Sequence, residues 1–397
     1  MLRHLFSRSM LSLVVGAWCL AVFQAAGQTD GIYADFTTSM GSFTCKLEYA
    51  VAPKAVANFI GLATGQRPWL DLPTGRARTN AFYNGLLFHR VVPGFVIQSG
   101  SPNGLGTDGP GYVVPDEISP LLRFTNTGIL AMANSGTNSN GSQFFITLTN
   151  TPGLNDGYTI FGELAGGTSV VLAIGQVATN GNQKPLTNVV LQCVGIRRVG
   201  TDAQAFDINA QSLPGVTNLF INITNVPGQV SLTFSNRLFA DNRLYSTTNL
   251  NSWAPNPLGI EIATPVTNTI YQVKDAPYRF FSLAQVQYQS STFAPETLQG
   301  RTLILNYTAG LGGVATNVLD ANGGGTYAYT FSGNTSTGTI TGYTWTQEAY
   351  RGELWPIFYS GLSTKTLTLN FTGNAGGNFS GTAYPSLIPV AGTFSLY

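Results

Sequence analysis

Apolar and polar positions alternate along much of this chain, and the places where the alternation changes mark its elements. In Phe88-His89-Arg90-Val91-Val92-Pro93-Gly94-Phe95-Val96-Ile97-Gln98-Ser99-Gly100, β-branched and aromatic runs flank Pro93-Gly94. This predicts strand, tight turn or bulge, then strand. Arg90 and Gln98 stand at the two ends of this apolar platform. A cation beside apolar surface needs a partner or a polar ligand, because an unpaired buried charge is costly. An ion pair, a solvated strand end and a functional role are all open for Arg90. Residues 33–37 and 43–49 predict a strand pair joined through Ser39-Met40-Gly41. Over 53–64 the period lengthens: Val56, Phe59, Ile60 and Ala63 share one helical face. Pro53 suits the first helical position and Gly65 the stop. Residues 128–146 read as strand, polar Gly/Asn loop, strand. Residues 168–177 read as a second helix, and 189–199 as a closing strand. Adjacent strand residues face opposite sides. One of Phe144 and Phe145 therefore fills core while the other can line a cleft, and His89 turns away from Arg90.

Between the first helix and the platform, residues 67–84 are rich in Pro, Gly and Arg and predict a surface loop with Arg67, Arg76 and Arg78 solvated. Past residue 200 the texture shifts to β-branched and polar alternation with frequent Asn, Pro and Gly. Candidate strands at 220–224, 230–234, 243–246 and 280–285 make residues 201–290 a β-sandwich-like module. Trp253 reads as a core or edge aromatic. Residues 291–397 form another all-β module, sandwich or barrel, in which 302–308 resembles 366–372. Between those strands lie Tyr343, Trp345, Tyr350, Trp355, Phe358 and Tyr359. They read as strand core, or as a face that stacks on glycan or peptide. Glu348, Arg351 and Glu353 cluster there without defining a catalytic carboxylate pair.

At the start, Arg3, His4 and Arg8 precede an apolar run over 10–23 that is too short to cross a bilayer comfortably. Ala25-Ala26-Gly27 supplies small residues for cleavage, so 1–27 read as a secretory signal, with an uncleaved anchor as the alternative. The expectation is an exported protein (periplasmic, outer-envelope or extracellular) with no membrane span after cleavage.

Composition narrows the chemistry. Charged residues are 9% of the 397, where about a quarter is usual, and the net charge is +1. Nothing here attracts nucleic acid or acidic lipid. Of two histidines, His4 lies in the signal, leaving His89 alone. Multi-His metal sites are therefore not expected, and a Ser-His-Asp triad would have to use His89. No nucleophile elbow or phosphate-loop lysine pattern is present. No metal and no cofactor is expected. Outside the signal only Cys45 and Cys193 remain, both on predicted strands. In an exported chain they are either a disulfide or two separate buried thiols.

Three motifs then occur in order: FHR-x-x-PGF-x-x-Q at 88–98, MAN-x-G-x-N-x-NGSQFFI at 132–146, and L-x-x-x-x-x-x-FG at 154–162. Together they resemble the cyclophilin family of peptidyl-prolyl cis/trans isomerases, over residues 30–200. The resemblance implies a mostly β fold: a closed antiparallel eight-stranded β-barrel capped by two helices, here followed by the two all-β modules. It matches Arg90 to the catalytic arginine. Phe95, Val96, Phe145 and Leu154 match the apolar proline pocket, and Gln98 and Gln143 its polar flanks. Ala133 and Asn134 match the edge where substrate backbone pairs, and Tyr158 a further site position. The chemistry needs no nucleophile. A prolyl amide is held planar behind a barrier of roughly 18–20 kcal/mol. Twisting it returns the lone pair to nitrogen, which a guanidinium binds better than the planar ground state. The sequence departs from many members at Val96, where Met is common, at Gly153, where Trp is common, and at Tyr158, where His is common. Because that Trp supports cyclosporin binding in sensitive members, weak cyclosporin binding is expected. The implied partners are proline-containing peptides or unfolded exported proteins. The alternative is a proline-segment binding or scaffold protein whose β modules attach to a surface, glycan or partner.

Overall fold

The computed structural model of the protein describes residues 29–235, 240–249, 252–255, 260–262, 267–273, 279–288, 298–320, 324–348, 351–359, 363–373, 376–384 and 388–396. The signal expected over 1–27 lies outside the described residues. The chain divides into two compact units, one built mainly from residues up to Gln287 and one from Tyr288 onward.

In the first unit, β1 (Gly31–Thr38) and β2 (Gly41–Leu47) form the predicted hairpin, and α1 (Pro53–Thr64) follows. Then come β3 (Trp69–Asp71), β4 (Arg76–Arg78), β5 (Leu86–Leu87), β6 (Arg90–Val92), β7 (Val96–Ser99), β8 (Ile129–Met132), β9 (Phe144–Thr147), β10 (Ile160–Gly166), α2 (Thr168–Ile174) and β11 (Val190–Val199). Nine of these strands form one antiparallel sheet in the order β5-β11-β1-β2-β10-β8-β9-β7-β6. This is a curled half-barrel. Its two terminal segments, β5 and β6, are consecutive in the chain, separated only by Phe88 and His89, and run end to end. The segment before β11 lines them, with Phe88 N–H donating to Val189 O (2.9 Å) and Val91 N–H to Gln183 O (2.8 Å).

The concave side is packed with rings. Phe36 stacks on Phe43 with centroids 4.6 Å apart, and Phe59 of α1 meets Phe36, Tyr83, Phe144 and Phe161. The predicted apolar face of α1 is the buried one. Ala52 at its N-cap has no side chain to offer, and the orphan amides go elsewhere: Lys54 N–H and Ala55 N–H donate to the Glu117 carboxylate at 3.0 and 2.8 Å. Burial raises the Glu117 pKa, and these amide bonds oppose the rise. α2 ends at Ile174, short of the predicted 177, and buries only Val171 and Ile174.

One open alternative is excluded and one expectation corrected here. Cys45 is a free, fully buried thiol, so the Cys45–Cys193 disulfide is not formed. Both residues flank β1, Cys45 opposite Ala34 and Cys193 opposite Thr37. Cross-strand partners share a face, and positions three apart face opposite sides, so the two sulfurs lie on different faces of the sheet. Burial pushes the Cys45 thiol pKa far up, with Asp35 and Glu163 adding to it. The 67–84 insertion is likewise no free loop. β3 and β4 pair as a hairpin, with Arg78 bridged to Asp71 at 2.9 Å. Arg67 is buried at 8% exposure and donates from Nη2 to Pro214 O at 2.6 Å.

That carbonyl precedes a β module in the same unit. After α3 (Thr201–Ala205), β12 (Gly215–Leu219), β13 (Asn222–Val226), β14 (Gln229–Ser235), β15 (Ala240–Asn249), β16 (Ser252–Pro255), β17 (Ile260–Ile262), β18 (Thr267–Val273) and β19 (Phe280–Gln287) make two sheets. One contains β12-β19-β15-β16 with β17 against β15, and the other β13-β14-β18. Leu232 and Phe234 from the second pack with Leu244 and Leu283 from the first, as in a sandwich. Phe220, expected in a strand, falls in the break between β12 and β13 and is 99% exposed. The side chain of Trp253 lies outside the described residues.

The second unit is a closed barrel of β20 (Thr302–Ala309), β21 (Val314–Leu319), β22 (Gly325–Phe331), β23 (Asn334–Glu348), β24 (Arg351–Tyr359), β25 (Ser363–Gly373), β26 (Gly376–Tyr384) and β27 (Ile388–Leu396). β27 returns to pair with β20. Leu303, Leu305, Leu367, Leu369, Phe379 and Phe394 fill it. The resembling stretches 302–308 and 366–372 are strands β20 and β25, which do not neighbour each other. Inside sits Lys365, whose Nζ donates to Tyr307 Oη at 2.9 Å and lies 5.0 Å from that ring centroid. Burial pushes its amine down to about 8. Of the aromatic segment, Tyr343 packs partly buried against this core. Tyr350 and the side chains of Trp345, Glu348, Arg351, Glu353, Trp355, Phe358 and Tyr359 lie outside the described residues.

Candidate active site

β6 and β7 form the predicted hairpin, with Gly94 at φ 70° in the turn, a conformation that favours glycine. The register places Arg90 opposite Gln98, Gln98 opposite Phe145, Phe145 opposite Ala131, and Ala131 opposite Ile160. Residues far apart in sequence thus form one row across five strands. Paired residues share a face, so this row is one surface of the sheet. The alternate row, Val91-Ile97-Ile146-Leu130, is fully buried on the core side. The same alternation separates the two phenylalanines. Phe144 packs among Phe36, Phe59 and Tyr83, while Phe145 stacks on Phe124 (5.8 Å) and meets Tyr158 edge-on (5.3 Å).

Around Phe145 the structure gathers Val96, Phe124, Ile129, Ala131 and Ile160, with Val92, Phe95, Leu122, Ala133, Leu154 and Tyr158 packed against them. Every apolar residue matched to the proline pocket is in this cluster. Phe124 and Leu122 were not read from the sequence. They sit outside the strands, where period-two alternation gives no signal. Gly153 lies in a short 3-10 turn (Pro152–Leu154), and a Cβ there would meet nothing within 4 Å. Asn134 donates from Nδ2 to Gly157 O at 2.9 Å, tying its loop to the Tyr158 loop. Ala133 N–H is taken by Gln143 O at 2.9 Å, so this expected pairing edge has lost one donor.

At the polar end of the row, Arg90 Nη1 donates to Gln98 Oε1 (3.3 Å) and Arg90 Nε to Gln183 Oε1 (2.7 Å). Gln98 Nε2 donates to Gln143 Oε1 (3.1 Å), and Gln143 Nε2 to Asp108 O (2.9 Å). Two glutamines hold the cation, and a third, anchored on a main-chain carbonyl, holds Gln98. The ion pairs among the described residues, Arg78–Asp71, Arg123–Asp156 and Arg197–Asp35, are elsewhere. A carboxylate partner would cancel the guanidinium charge, whereas neutral amides fix its direction and leave the charge to act on whatever occupies the cleft. The ion-pair reading of Arg90 is therefore set aside. Gln183 was missed because it lies 93 residues away, in a loop with no periodicity.

His89 is buried at 7% exposure, and neither ring nitrogen reaches hydrogen-bond geometry with a protein atom. Burial is the main cause of its lowered pKa; Asp108 pulls the other way and Arg90 adds to the lowering. Burial thus disfavours its charged form. Among the described residues no cluster of three or more His, Cys, Asp or Glu could hold a metal ion.

This surface pairs a cation held by neutral amides with an apolar cluster around Phe145. Residues 33–196 match the family model described as cyclophilin type peptidyl-prolyl cis-trans isomerase/CLD. Peptidyl-prolyl cis-trans isomerase B of Streptomyces anulatus is 48% identical over 168 residues, which are 42% of this chain and 96% of that protein. The chain belongs to the cyclophilin family. Peptidyl-prolyl cis-trans isomerase A of Mycobacterium tuberculosis is 46% identical over 41% of this chain and 91% of its own length. A solved Cryptosporidium parvum cyclophilin type isomerase is 31% identical, covering 42% of this chain and 98% of that one, with a TM-score of 0.37. This cyclophilin is an enzyme of the peptidyl-prolyl cis-trans isomerase class, and its family match stops at residue 196, before the β modules.

Proposed function

We propose that this cyclophilin catalyses cis/trans exchange at X-Pro bonds of exported proteins and so carries them past slow steps in folding. Uncatalysed exchange takes on the order of tens to hundreds of seconds, long enough to limit folding. The observation that carries the reading is the guanidinium of Arg90, held by neutral amides at one end of a row whose next members are Gln98 and Phe145. A prolyl ring seated against Phe145, Val96 and Leu154 would bring its nitrogen toward Arg90. As the amide twists, the nitrogen regains its lone pair and the cation stabilises it more than it stabilises the planar amide. The signal expected over 1–27 is the basis for placing the clients outside the cytoplasm.

The test is exchange NMR or protease-coupled isomerisation of an X-Pro peptide by the full chain, wild type beside Arg90→Ala. Rapid turnover that falls roughly 100- to 1000-fold in the variant, at unchanged melting temperature, is the expected result. No turnover from the folded wild type moves the protein to the proline-binding alternative. Cyclosporin binds weakly in this reading, since Gly153 leaves open space where a ring would pack. Gly153→Trp meets no steric obstacle and is expected to raise cyclosporin affinity about tenfold or more in a fluorescence titration. Tight binding by the wild type would contradict this.

A further inference from the structure

Gln183 stands in the left-handed region at φ 63°, where residues other than glycine are uncommon and strained by roughly 1 kcal/mol or more. The turn around it is firmly built. Asn180 Oδ1 accepts from Asn182 N–H (2.9 Å) and Lys184 N–H (3.1 Å), and Gln183 N–H donates to Asn180 O (2.9 Å). A bridge between Thr179 and Pro185 closes its base. The conformation delivers two acceptors to the open end of the sheet. Gln183 O accepts from Val91 N–H at 2.8 Å, and its side-chain Oε1 accepts from Arg90 Nε–H at 2.7 Å. The second is the shorter of the two bonds to the guanidinium, the other being the 3.3 Å bond to Gln98.

We propose that Gln183 is a positioning residue: it fixes the guanidinium of Arg90 through Nε, so that the terminal nitrogens face the cleft with their charge intact. The inference rests on the isomerase reading above. An arginine side chain has several rotatable bonds, and an unanchored guanidinium samples poses that miss the twisted amide. The strained backbone at 183 is the local cost of placing the acceptor. A neutral amide suits the task where a carboxylate would not, because an ion pair would weaken the field at the prolyl nitrogen.

The test uses the full chain and reads kcat and KM by exchange NMR, together with the Arg90 Nε–Hε resonance. Gln183→Gly accepts the positive φ and removes only the side chain, which separates loss of the anchor from collapse of the turn. The expected result is a roughly tenfold fall in kcat with KM within about twofold, and an Arg90 Hε signal that loses its slow exchange with water. In an Arg90→Ala background the same change is expected to cost nothing more. Gln183→Glu is expected to keep the protected Hε signal and still lower kcat, because the carboxylate cancels charge. An unchanged kcat in Gln183→Gly, or an equal loss in both backgrounds, overturns the positioning role while leaving the isomerase standing. No turnover by the wild type overturns the isomerase reading itself, and the positioning role with it.

Discussion

The half-barrel of the first unit and the closed barrel of the second use antiparallel strands in opposite ways. In the closed barrel each of the eight strands is paired on both sides. Its one described buried cation, Lys365, points inward among Tyr307 and Tyr329. In the half-barrel the ladder ends at β6, and the cation of that last strand is turned to the face that carries Phe145. The difference teaches where a β protein can do chemistry. A ladder that closes satisfies its own backbone and has its pleat filled by side chains. In the first unit the edge of β6 is bonded by Gln183, which also touches Arg90. That edge and the candidate site are one feature.

The largest effect that could break this contrast is a cavity in the closed barrel. Leu369 is fully buried there, and Leu369→Ala is expected to cost about 2–5 kcal/mol in denaturant unfolding of that unit. X-Pro turnover should be unchanged; if it falls in step, the chemistry is not confined to the open sheet. A smaller effect sharpens the contrast between the two cations. Lys365 is held at about 8 against an ordinary 10.5. Below pH 8 both folded and unfolded states carry the proton, and the cost of burying charge is fully present. Between 8 and 10.5 only the unfolded state stays charged, so stability rises with pH. The unfolding midpoint of the second unit should therefore climb from pH 8 to 10, and Lys365→Met should flatten that climb. The smallest effect belongs to His89, whose folded pKa lies below 6.5. Its contribution is present above that value and is lost as pH falls from 6.5 toward the folded pKa, since the unfolded chain takes the proton first. His89→Gln should make the first unit less acid-sensitive over that window than the wild type. Equal acid sensitivity would mean that the ring is already wet.

Much of the site was legible because period two is a local property. Alternation alone separates Phe144 from Phe145, and Pro93-Gly94 alone predicts the hairpin that sets Arg90 beside Gln98. α1 could be bounded at both ends from Pro53 and Gly65. What escaped was set by distance in sequence. Nothing near Ala52 reveals that Glu117 caps α1, and nothing near Arg90 reveals Gln183. Phe124 stacks on Phe145 from a segment with no regular period. The cysteines stayed open for a related reason: sequence places each on a strand but does not give the register that puts them on opposite faces.

The buried Arg67 says where this protein can be divided. Its guanidinium ends on the carbonyl of Pro214, its stem lies so close to α1 that a Cβ on Gly61 would sit 2.3 Å from it, and the hairpin beyond it is held by Asn218 and Ser282. An isomerase cut where family likeness ends, near residue 200, would keep the cation and discard its acceptor. The isomerase region and the sandwich module thus belong to one compact unit. Removing the module would strip the 67–84 hairpin of the groups that hold it.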